Sequence, residues 1–362
     1  MTLNYEDFAK WINENDFFFK NFIIIKDIVF NYLSQRKDDE KWCSNVIANF
    51  NNVLQNCDSI TYDEEGVPEA YLILHFLDRY HRFQLIYMEM LKEGCFPLAS
   101  KLNMIDIGTG TGPSMFAYSD MVELIQRYKS EINCSETIES ICIDYAEQSE
   151  GFRQQIHMIS EYLVLRKKCY VPFHFGTYKD AFEMKFNGKI LRDAKFIKFA
   201  SKRYYIPAIH AKRSFNSVIY SNFLTNKETI ELYATHIRNA MFYMKNRGVL
   251  IFVGANPESE KYKPVYQLLE QYMMNTNYNT NKYNGCCKKI IPPTKMHIKG
   301  NDRFIIELKK FYTNILNLIT HDDWNKLDSN FKRQITSYID STNDKTWYLT
   351  VYQRLSSYKH HK

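Results

Sequence analysis

Apolar residues recur at three- and four-residue intervals through the first hundred positions of the chain. The spacing is seen in Phe8, Trp11 and Ile12, and again in the segment 46–54. It continues over residues 69–91, beyond a polar loop. Such a period is typical of amphipathic helices that bury one face. The pattern therefore predicts a helical N-terminal region over residues 1–100.

From position 104 onward, short apolar runs alternate with segments of helical period. Short apolar runs bounded by turn residues are typical of buried parallel strands. The strands predicted in this way are 104–107, 140–144, 170–175, 217–220, 248–253, 304–308 and 347–352. The helices predicted between them are 113–128, 148–165, 227–244 and 257–274, and residues 275–301 are predicted as a loop. Because strands and helices alternate, the fold class predicted is α/β with a doubly wound, Rossmann-like sheet.

The pattern also divides the chain. Residues 1–100 form the predicted helical region, which would cover a cofactor or substrate. Residues 101–362 form the predicted Rossmann-like domain, with an insertion at 177–213 and a C-terminal extension at 275–345.

Charge is distributed unevenly along the chain. The whole protein carries a formal net charge of +6, but the first hundred residues have a net charge of −7. The insertion 177–213 has a net charge of +7, and residues 282–362 have +8. Sign asymmetry of this kind bears on binding partners and not on the fold. It makes the insertion a candidate surface for a polyanion.

Several classes of protein are not supported by the sequence. The N-terminus has no basic segment followed by an apolar core, so no secretory signal is predicted. The apolar stretch 17–30 contains Lys20, Lys26 and Asp27 and is too short to span a bilayer. The cysteines are scattered, which fits free thiols, and the chain is expected to be cytoplasmic. Adjacent Cys286 and Cys287 rarely supply two ligands to one zinc, so no metal is predicted.

A glycine-rich motif follows the first predicted strand and precedes a predicted helix. Its sequence is Asp106-Ile107-Gly108-Thr109-Gly110-Thr111-Gly112. Glycines let the backbone turn tightly and approach a ligand that a Cβ would block, and the helix N-terminus offers unpaired N–H groups. A dinucleotide fingerprint needs a further glycine where this chain has Pro113. The spacing favours a methyltransferase over an NAD-dependent enzyme, the alternative being a turn that binds nothing.

Residues 104–253 resemble the class I S-adenosylmethionine-dependent methyltransferases, most strongly at the glycine motif. The resemblance implies a Rossmann-like fold, S-adenosylmethionine as cofactor and methyl transfer as the reaction. In that family the glycine loop packs against the amino-acid half of the cofactor. An acidic residue that ends the second strand accepts hydrogen bonds from the ribose, and Asp144 matches that position, with Tyr145 against the adenine. Asp144 lies farther from Asp106 than the usual spacing of about 20 residues, which implies an extended first helix or loop.

Two further groups of residues follow from the resemblance. Helices just before the glycine loop often cover the cofactor pocket in this family, with a Tyr or Arg that reaches its carboxylate. Tyr80 and Arg82 are the candidates here, and a solvated helix face is the alternative. The cofactor-binding residues predicted are therefore Asp106, Gly108, Thr109, Gly110, Thr111, Gly112, Asp144, Tyr145, Tyr80 and Arg82.

The segment Ser221, Asn222 and Phe223 follows the fourth predicted strand, where the family places groups beside the transferring methyl. It lacks the paired prolines of the family's Asp/Asn-Pro-Pro-Tyr signature, so methylation of a base amino group is not supported. A direct displacement remains, for which the protein mainly aligns the acceptor and excludes water. These three residues are the predicted catalytic segment.

The insertion 177–213 interleaves basic and aromatic residues. Basic side chains can neutralise phosphates while aromatic rings stack on unpaired bases. The candidate substrate-binding residues are Lys195, Lys198, Lys202 and Arg203. The alternative is a lid whose aromatic residues face the core.

Three hypotheses on function therefore remain open. The chain methylates an N or O nucleophile of RNA or another nucleic acid, or it methylates a small molecule under a helical lid. In the third, it is an inactive methyltransferase-like interaction protein. The sequence sets no oligomeric state.

Overall fold

The computed structural model describes most of the chain. Backbone and side chains are described for residues 3–56, 62–147, 149–160, 215–234, 237, 244–274, 287–300, 302–320, 329–340 and 345–355, with few exceptions among side chains at the ends of these ranges. Between positions 173 and 204 the backbone of short strands alone is described. None of the described helices is long and apolar enough to cross a membrane.

Helices make up the first hundred residues, as the three- and four-residue spacing predicts. They are α1 (Tyr5–Asn15), α2 (Phe17–Ser34), α3 (Glu40–Asn56) and α4 (Val67–Lys92). The next three helices are α5 (Pro113–Glu131), α6 (Glu150–Ile159) and α7 (Lys227–Leu232). The last three are α8 (Lys263–Met274), α9 (Arg303–Thr320) and α10 (Ser329–Asp340).

The strands include seven that form one sheet. In chain order these are β1 (Lys101–Ile107), β2 (Ser140–Ala146), β3 (Phe173–Gly176), β8 (Phe215–Ser221), β9 (Met244–Gly254), β10 (Cys287–Ile298) and β11 (Lys345–Arg354). Within the insertion, two short antiparallel pairs are formed by β4 (Lys185–Phe186) with β5 (Lys189–Ile190) and by β6 (Ile197–Phe199) with β7 (Lys202–Tyr204).

The spatial order of the sheet is β10-β11-β9-β8-β1-β2-β3. All neighbouring pairs are parallel except those that β11 makes with β9 and β10. Apart from β11, which is inserted next to the edge, this is the doubly wound strand order. The first three strands are added outward on one side of β1, and the fourth, β8, begins the other side of the sheet. The Rossmann-like α/β fold is therefore confirmed. The crevice at β1 and β8 is where such sheets bind ligands.

Helix α4 lies at the centre of the N-terminal region and packs on α5, α3, α2 and α9. Its apolar residues surround the helix, and most of its 26 residues are buried. Its backbone carbonyl at Leu74 accepts hydrogen bonds from Tyr312 of α9 (3.0 Å) and Tyr338 of α10 (2.9 Å). The predicted helical region is thus joined to the C-terminal part of the chain.

The strand predicted at Phe304–Leu308 is wrong, because these residues belong to helix α9. A run of five apolar residues fits either structure, because the spacing of apolar positions cannot distinguish a short buried strand from one and a half turns of helix. The longer pattern that continues through Phe311, Tyr312 and Ile315 has helical spacing, and all of these side chains are buried.

The sixth strand of the sheet, β10, lies in the segment predicted as a loop, and that prediction is wrong as well. β10 contains Pro292 and Pro293, which cannot donate hydrogen bonds to a neighbouring strand. Its pairing with β11 shifts register between Lys289 and Ile291 and between Ile291 and Thr294. Prolines are accepted at the edge of a sheet and at bulges, and β10 provides both.

The helix predicted over 227–244 begins as helix α7, which ends at Leu232, and Tyr233 is a turn. Ala234 and Ile237 are again helical, residues 235, 236 and 238–243 lie outside the described residues, and Met244 begins β9 instead of ending a helix. The other predicted strands and helices correspond to described elements with shifts of a few residues at their ends. The residues 161–165 at the end of one predicted helix lie outside the described residues.

Candidate functional site

The glycine motif forms a loop between β1 and α5, at the carboxyl edge of the sheet. Gly108, Gly110 and Gly112 have φ angles of +68°, +60° and +83°. A residue with a Cβ is strained in this left-handed region, so these backbone angles account for all three glycines. Gly112 precedes the first turn of α5, where Pro113 lacks an N–H that would have no helical partner.

Asp106, at the end of β1, is buried beneath this loop. One oxygen, Oδ2, accepts hydrogen bonds from the Thr109 hydroxyl (2.7 Å) and from the Ser114 hydroxyl. Burial raises the pKa of Asp106 to about 6, although the two hydroxyl donors oppose that rise. The other oxygen, Oδ1, and the hydroxyl of Thr111 are buried without a hydrogen-bond partner among the described residues. The loop therefore contains polar groups with unused bonding capacity.

Glu147 is a second carboxylate in contact with the glycine loop, and it binds the main chain of the loop. Its Oε2 accepts the N–H of Gly110 at 2.7 Å, and its Oε1 accepts the N–H of Ser149 at 3.0 Å. The register of β1 and β2 pairs Asp106 with Tyr145, so Glu147 follows the strand end at the level of the loop. The sequence interpretation missed this residue. A carboxylate two positions before Ser149, the N-cap of α6, was the available signal.

Asp144 and Tyr145 occupy earlier positions on the same strand. Asp144 pairs with Ile105, two residues before the end of β1, and is half-buried. Tyr145 is fully buried, and burial raises the pKa of its phenol to about 12. Their predicted contacts with ribose and adenine remain predictions.

Helix α4 covers the glycine loop with Tyr71 and Arg79. A Cβ on Gly110 would stand 3.3 Å from the Tyr71 ring. The guanidinium of Arg79 donates a hydrogen bond to the Tyr71 oxygen and lies 5.0 Å from the centre of its ring. Arg79 is half-buried and interacts electrostatically with Asp78, its neighbour in the chain. Through its hydrogen bond to Tyr71, a cation is thus held next to the side chain that contacts Gly110.

The predicted pair Tyr80 and Arg82 lies on other faces of α4. The Tyr80 hydroxyl donates to Asp120 of α5 in the core. Arg82 makes two hydrogen bonds to Asp78, at 3.1 and 2.5 Å, and its guanidinium lies 5.2 Å from the ring centre of Trp347. Their described contacts are with the core and with β11, and none is with the glycine loop. The sequence did not predict Tyr71 and Arg79 because tertiary packing determines how α4 is rotated about its axis, and therefore which side chains face the loop.

His75 lies between Tyr71 and Arg79 along α4, and its ring centre is 4.8 Å from that of Tyr71. Burial, together with the nearby cations Arg79 and Lys345, holds the pKa of His75 well below its usual value. The imidazole is therefore neutral near pH 7. Its Nε2 is buried without a hydrogen-bond partner in the described residues. This face of α4 thus presents a neutral nitrogen base.

The predicted catalytic segment follows β8, next to the glycine loop. The N–H of Asn222 donates to the carbonyl of Val253 on β9 at 2.9 Å, and its side-chain amide donates to the Ser221 hydroxyl at 3.2 Å. The ring of Phe223 lies directly on Gly108, so that a Cβ on Gly108 would overlap it. The same ring contacts Tyr233 edge to face, with ring centres 4.6 Å apart. Phe223 therefore lies against the glycine loop, and the catalytic role of the segment remains a prediction.

The predicted substrate-binding residues are not tested by the structure. Lys195 lies outside the described residues. For Lys198, Lys202 and Arg203 the backbone alone is described, in the β6–β7 pair, where Lys198 is opposite Arg203. In the described residues, no group of acidic, His and Cys side chains is arranged to hold a metal ion.

Comparison with known proteins gives limited information. No protein-family model matches the chain, and no curated protein sequence matches it. Among solved structures, the [4+2]-cyclase SpnF shares 10% identity over 76% of this chain and 81% of that chain, with a TM-score of 0.36. A putative sarcosine dimethylglycine methyltransferase from Galdieria sulphuraria shares 9% identity over 81% of this chain and 89% of that chain, with a TM-score of 0.33. A geranyl diphosphate methyltransferase shares 11% identity over 81% of this chain and 92% of that chain, with a TM-score of 0.31. These TM-scores are too low to support a conclusion on function.

Proposed function

We propose that the chain is an S-adenosylmethionine-dependent methyltransferase that acts on an N or O nucleophile. The observation that carries the proposal is the glycine loop at the strand-order reversal, with three left-handed glycines and a carboxylate at its centre. Ligands of doubly wound sheets bind at that reversal, outside the carboxyl ends of the strands. The motif spacing favours this cofactor over a dinucleotide.

The residues of the loop fit the chemical groups of this cofactor. We assign the ribose hydroxyls to Glu147 in place of Asp144, because Glu147 directly follows β2 and accepts the N–H of Gly110, the middle glycine of the loop. Arg79 would bind the carboxylate of the amino-acid half, since its guanidinium is held at Tyr71, which packs on the glycine loop, and a guanidinium can bind a carboxylate with two hydrogen bonds. The unpartnered Asp106 Oδ1 and Thr111 hydroxyl would gain hydrogen-bond partners near the ligand. Tyr71 would pack on it from α4.

When bound, the cofactor supplies a methyl group already activated on a sulfonium. The protein then needs to orient the acceptor, exclude water and remove its proton. Tyr71 and the α4 face around it form the apolar cover. The neutral His75 is our candidate for relaying the released proton, because near pH 7 one of its two ring nitrogens carries no proton and its low pKa makes it release a proton readily.

RNA remains our working hypothesis for the acceptor, and it rests on the charge and aromatic content of residues 177–213. Binding through phosphates weakens steeply as salt rises. Replacing Lys195, Lys198, Lys202 and Arg203 with Glu should abolish binding to a mixed single-stranded RNA. If affinity depends neither on salt nor on these residues, a small-molecule acceptor becomes the better hypothesis.

The cofactor assignment is tested by calorimetry of the full chain with S-adenosylmethionine and with S-adenosylhomocysteine. We expect binding of both and no binding of NAD. A Gly110→Val variant places a branched side chain against Tyr71 and should bind neither. Absence of heat with both compounds in the folded wild-type protein, or tight binding of NAD, would overturn the assignment. Incubation of a cell extract with methyl-labelled cofactor, with and without ribonuclease, then identifies the acceptor fraction.

A further inference from the structure

Phe223 stands where the glycine loop would receive its ligand. A Cβ built on Gly108 would overlap three atoms of the Phe223 ring, so the ring lies flush against the glycine backbone. Gly108 is the first glycine of the motif, and its φ of +68° bends the loop around that surface. The space that a side chain at Gly108 would fill is therefore occupied by the aromatic ring of Phe223.

A ligand cannot occupy the same surface while the ring is there. From this we infer that Phe223 is a gate of the cofactor site, closed over Gly108 in the free protein and displaced when the cofactor binds. The inference rests on the proposed function, because it concerns the same crevice. It adds a property that the proposed function does not contain: part of the binding free energy is used to move a protein side chain.

The surroundings of Phe223 allow that movement without disturbing the sheet. Asn222 has a φ of +50°, a left-handed conformation that Asn tolerates better than most residues. Its N–H remains fixed to Val253, so the end of β8 is anchored immediately before Phe223. Residues 223–225 have no helix or strand structure, and α7 begins only after its N-cap, Asn226. Phe223 is thus the first residue beyond a fixed point.

Phe223 is only partly buried, so the contact on Gly108 is open to solvent on one side. A ring that is already partly exposed loses only part of its buried contact when it leaves Gly108. The ring also contacts Tyr233, with ring centres 4.6 Å apart. Displacing the ring therefore lowers the affinity for the cofactor and does not forbid binding.

The first experiment measures affinity for S-adenosylhomocysteine by calorimetry. We expect Phe223→Ala to bind about 10-fold more tightly than wild type, and Phe223→Leu to lie between them. Phe19→Ala is the matched control, because Phe19 is also half-buried and packs on α9 away from the loop. It should leave the affinity unchanged. Unchanged or weaker binding by Phe223→Ala would overturn the gate.

The second experiment needs no cofactor. Gly108→Ala adds the Cβ that overlaps Phe223, so it should lower the melting temperature of wild type more than that of Phe223→Ala. The expected difference between these two decreases is a few degrees, since residues in contact do not act additively. Equal decreases would show that the ring does not rest on Gly108, and the gate would be refuted.

The two experiments separate the gate from the proposed function. Non-additive melting temperatures with tighter binding by Phe223→Ala support both. Non-additive melting temperatures with equal, measurable binding by both proteins refute the gate and leave the proposed function standing. Non-additive melting temperatures with no binding by either protein, at any concentration of S-adenosylhomocysteine or S-adenosylmethionine, refute the proposed function and the gate with it.

Discussion

Replacement of Asp106 with Asn should remove a contribution to the protein's stability that is present in acid and lost near neutral pH. Asp106 is fully buried, and its pKa is raised from 3.8 to about 6. A raised pKa of a carboxyl group means that the folded state holds the proton more tightly than the unfolded state does. Its contribution to the free energy of unfolding is therefore fully present below pH 3.8 and is lost as the pH rises through 6.

The magnitude follows from the size of that shift. A rise of about two pKa units corresponds to about 3 kcal/mol, and no discount for solvent screening applies to a side chain that is 1% exposed. The Asn variant cannot ionise at this position. At pH 4 the carboxyl of the unfolded chain is already more than half ionised, so the free energy of unfolding of wild type relative to Asp106→Asn should fall by about 2.4 kcal/mol between pH 4 and pH 7.5. Near neutral pH the variant loses little stability or gains some.

Urea unfolding of both proteins at several pH values between 4 and 7.5 measures this difference. Asp38→Asn is the control, because Asp38 is an exposed carboxylate on the loop after α2. It should follow the pH dependence of wild type closely. The reasoning is refuted if Asp106→Asn and wild type change in parallel over the whole range. It is also refuted if the variant is relatively more stable in acid than at neutral pH.

Three further changes test the site and its support. Glu147→Gln removes the charge at Gly110 but keeps an acceptor oxygen, so we expect about 10-fold weaker binding of S-adenosylmethionine by calorimetry, corresponding to about 1.4 kcal/mol. Unchanged affinity would mean that another carboxylate binds the ribose hydroxyls. Arg79→Met should lower the affinity for S-adenosylmethionine about 10-fold or more but leave the affinity for methylthioadenosine, which has no carboxylate, unchanged. Equal losses of affinity for both compounds would show a general loss of fold. Asp78→Asn leaves Arg82 and Lys345 without their buried partner and should destabilise the protein by about 3–5 kcal/mol in urea unfolding, and a loss under 1 kcal/mol would contradict that role.

The glycine loop could be predicted from the sequence because its structure is determined locally. Three glycines with left-handed backbone between a strand and a helix leave few alternatives. The doubly wound sheet could be predicted for the same reason, because short apolar runs typical of strands alternate with segments of helical spacing along the chain. The position of the last strand between the fifth and sixth depends on pairing between distant segments, which no local pattern contains.

The side chains around the loop were harder to predict, for two physical reasons. The predicted second strand ended at Asp144, and only its register with β1 extends it to the point where Glu147 meets Gly110. On α4, Arg79 and Arg82 are both suitable cations in sequence. Which of them faces the loop depends on how the helix is rotated against α5 and β11, and that is a property of tertiary packing.

Helix α4 has a consequence for the synthesis of this protein. It is about 39 Å long, has apolar side chains around its whole circumference and is translated before any strand of the sheet. Trp347, which covers Arg82, is translated 265 residues after that arginine. The face of α4 that packs on α9, α10 and β11 therefore stays uncovered until translation is nearly complete, while α3 and α5 cover other faces earlier. A nascent-chain chaperone would find its binding site there.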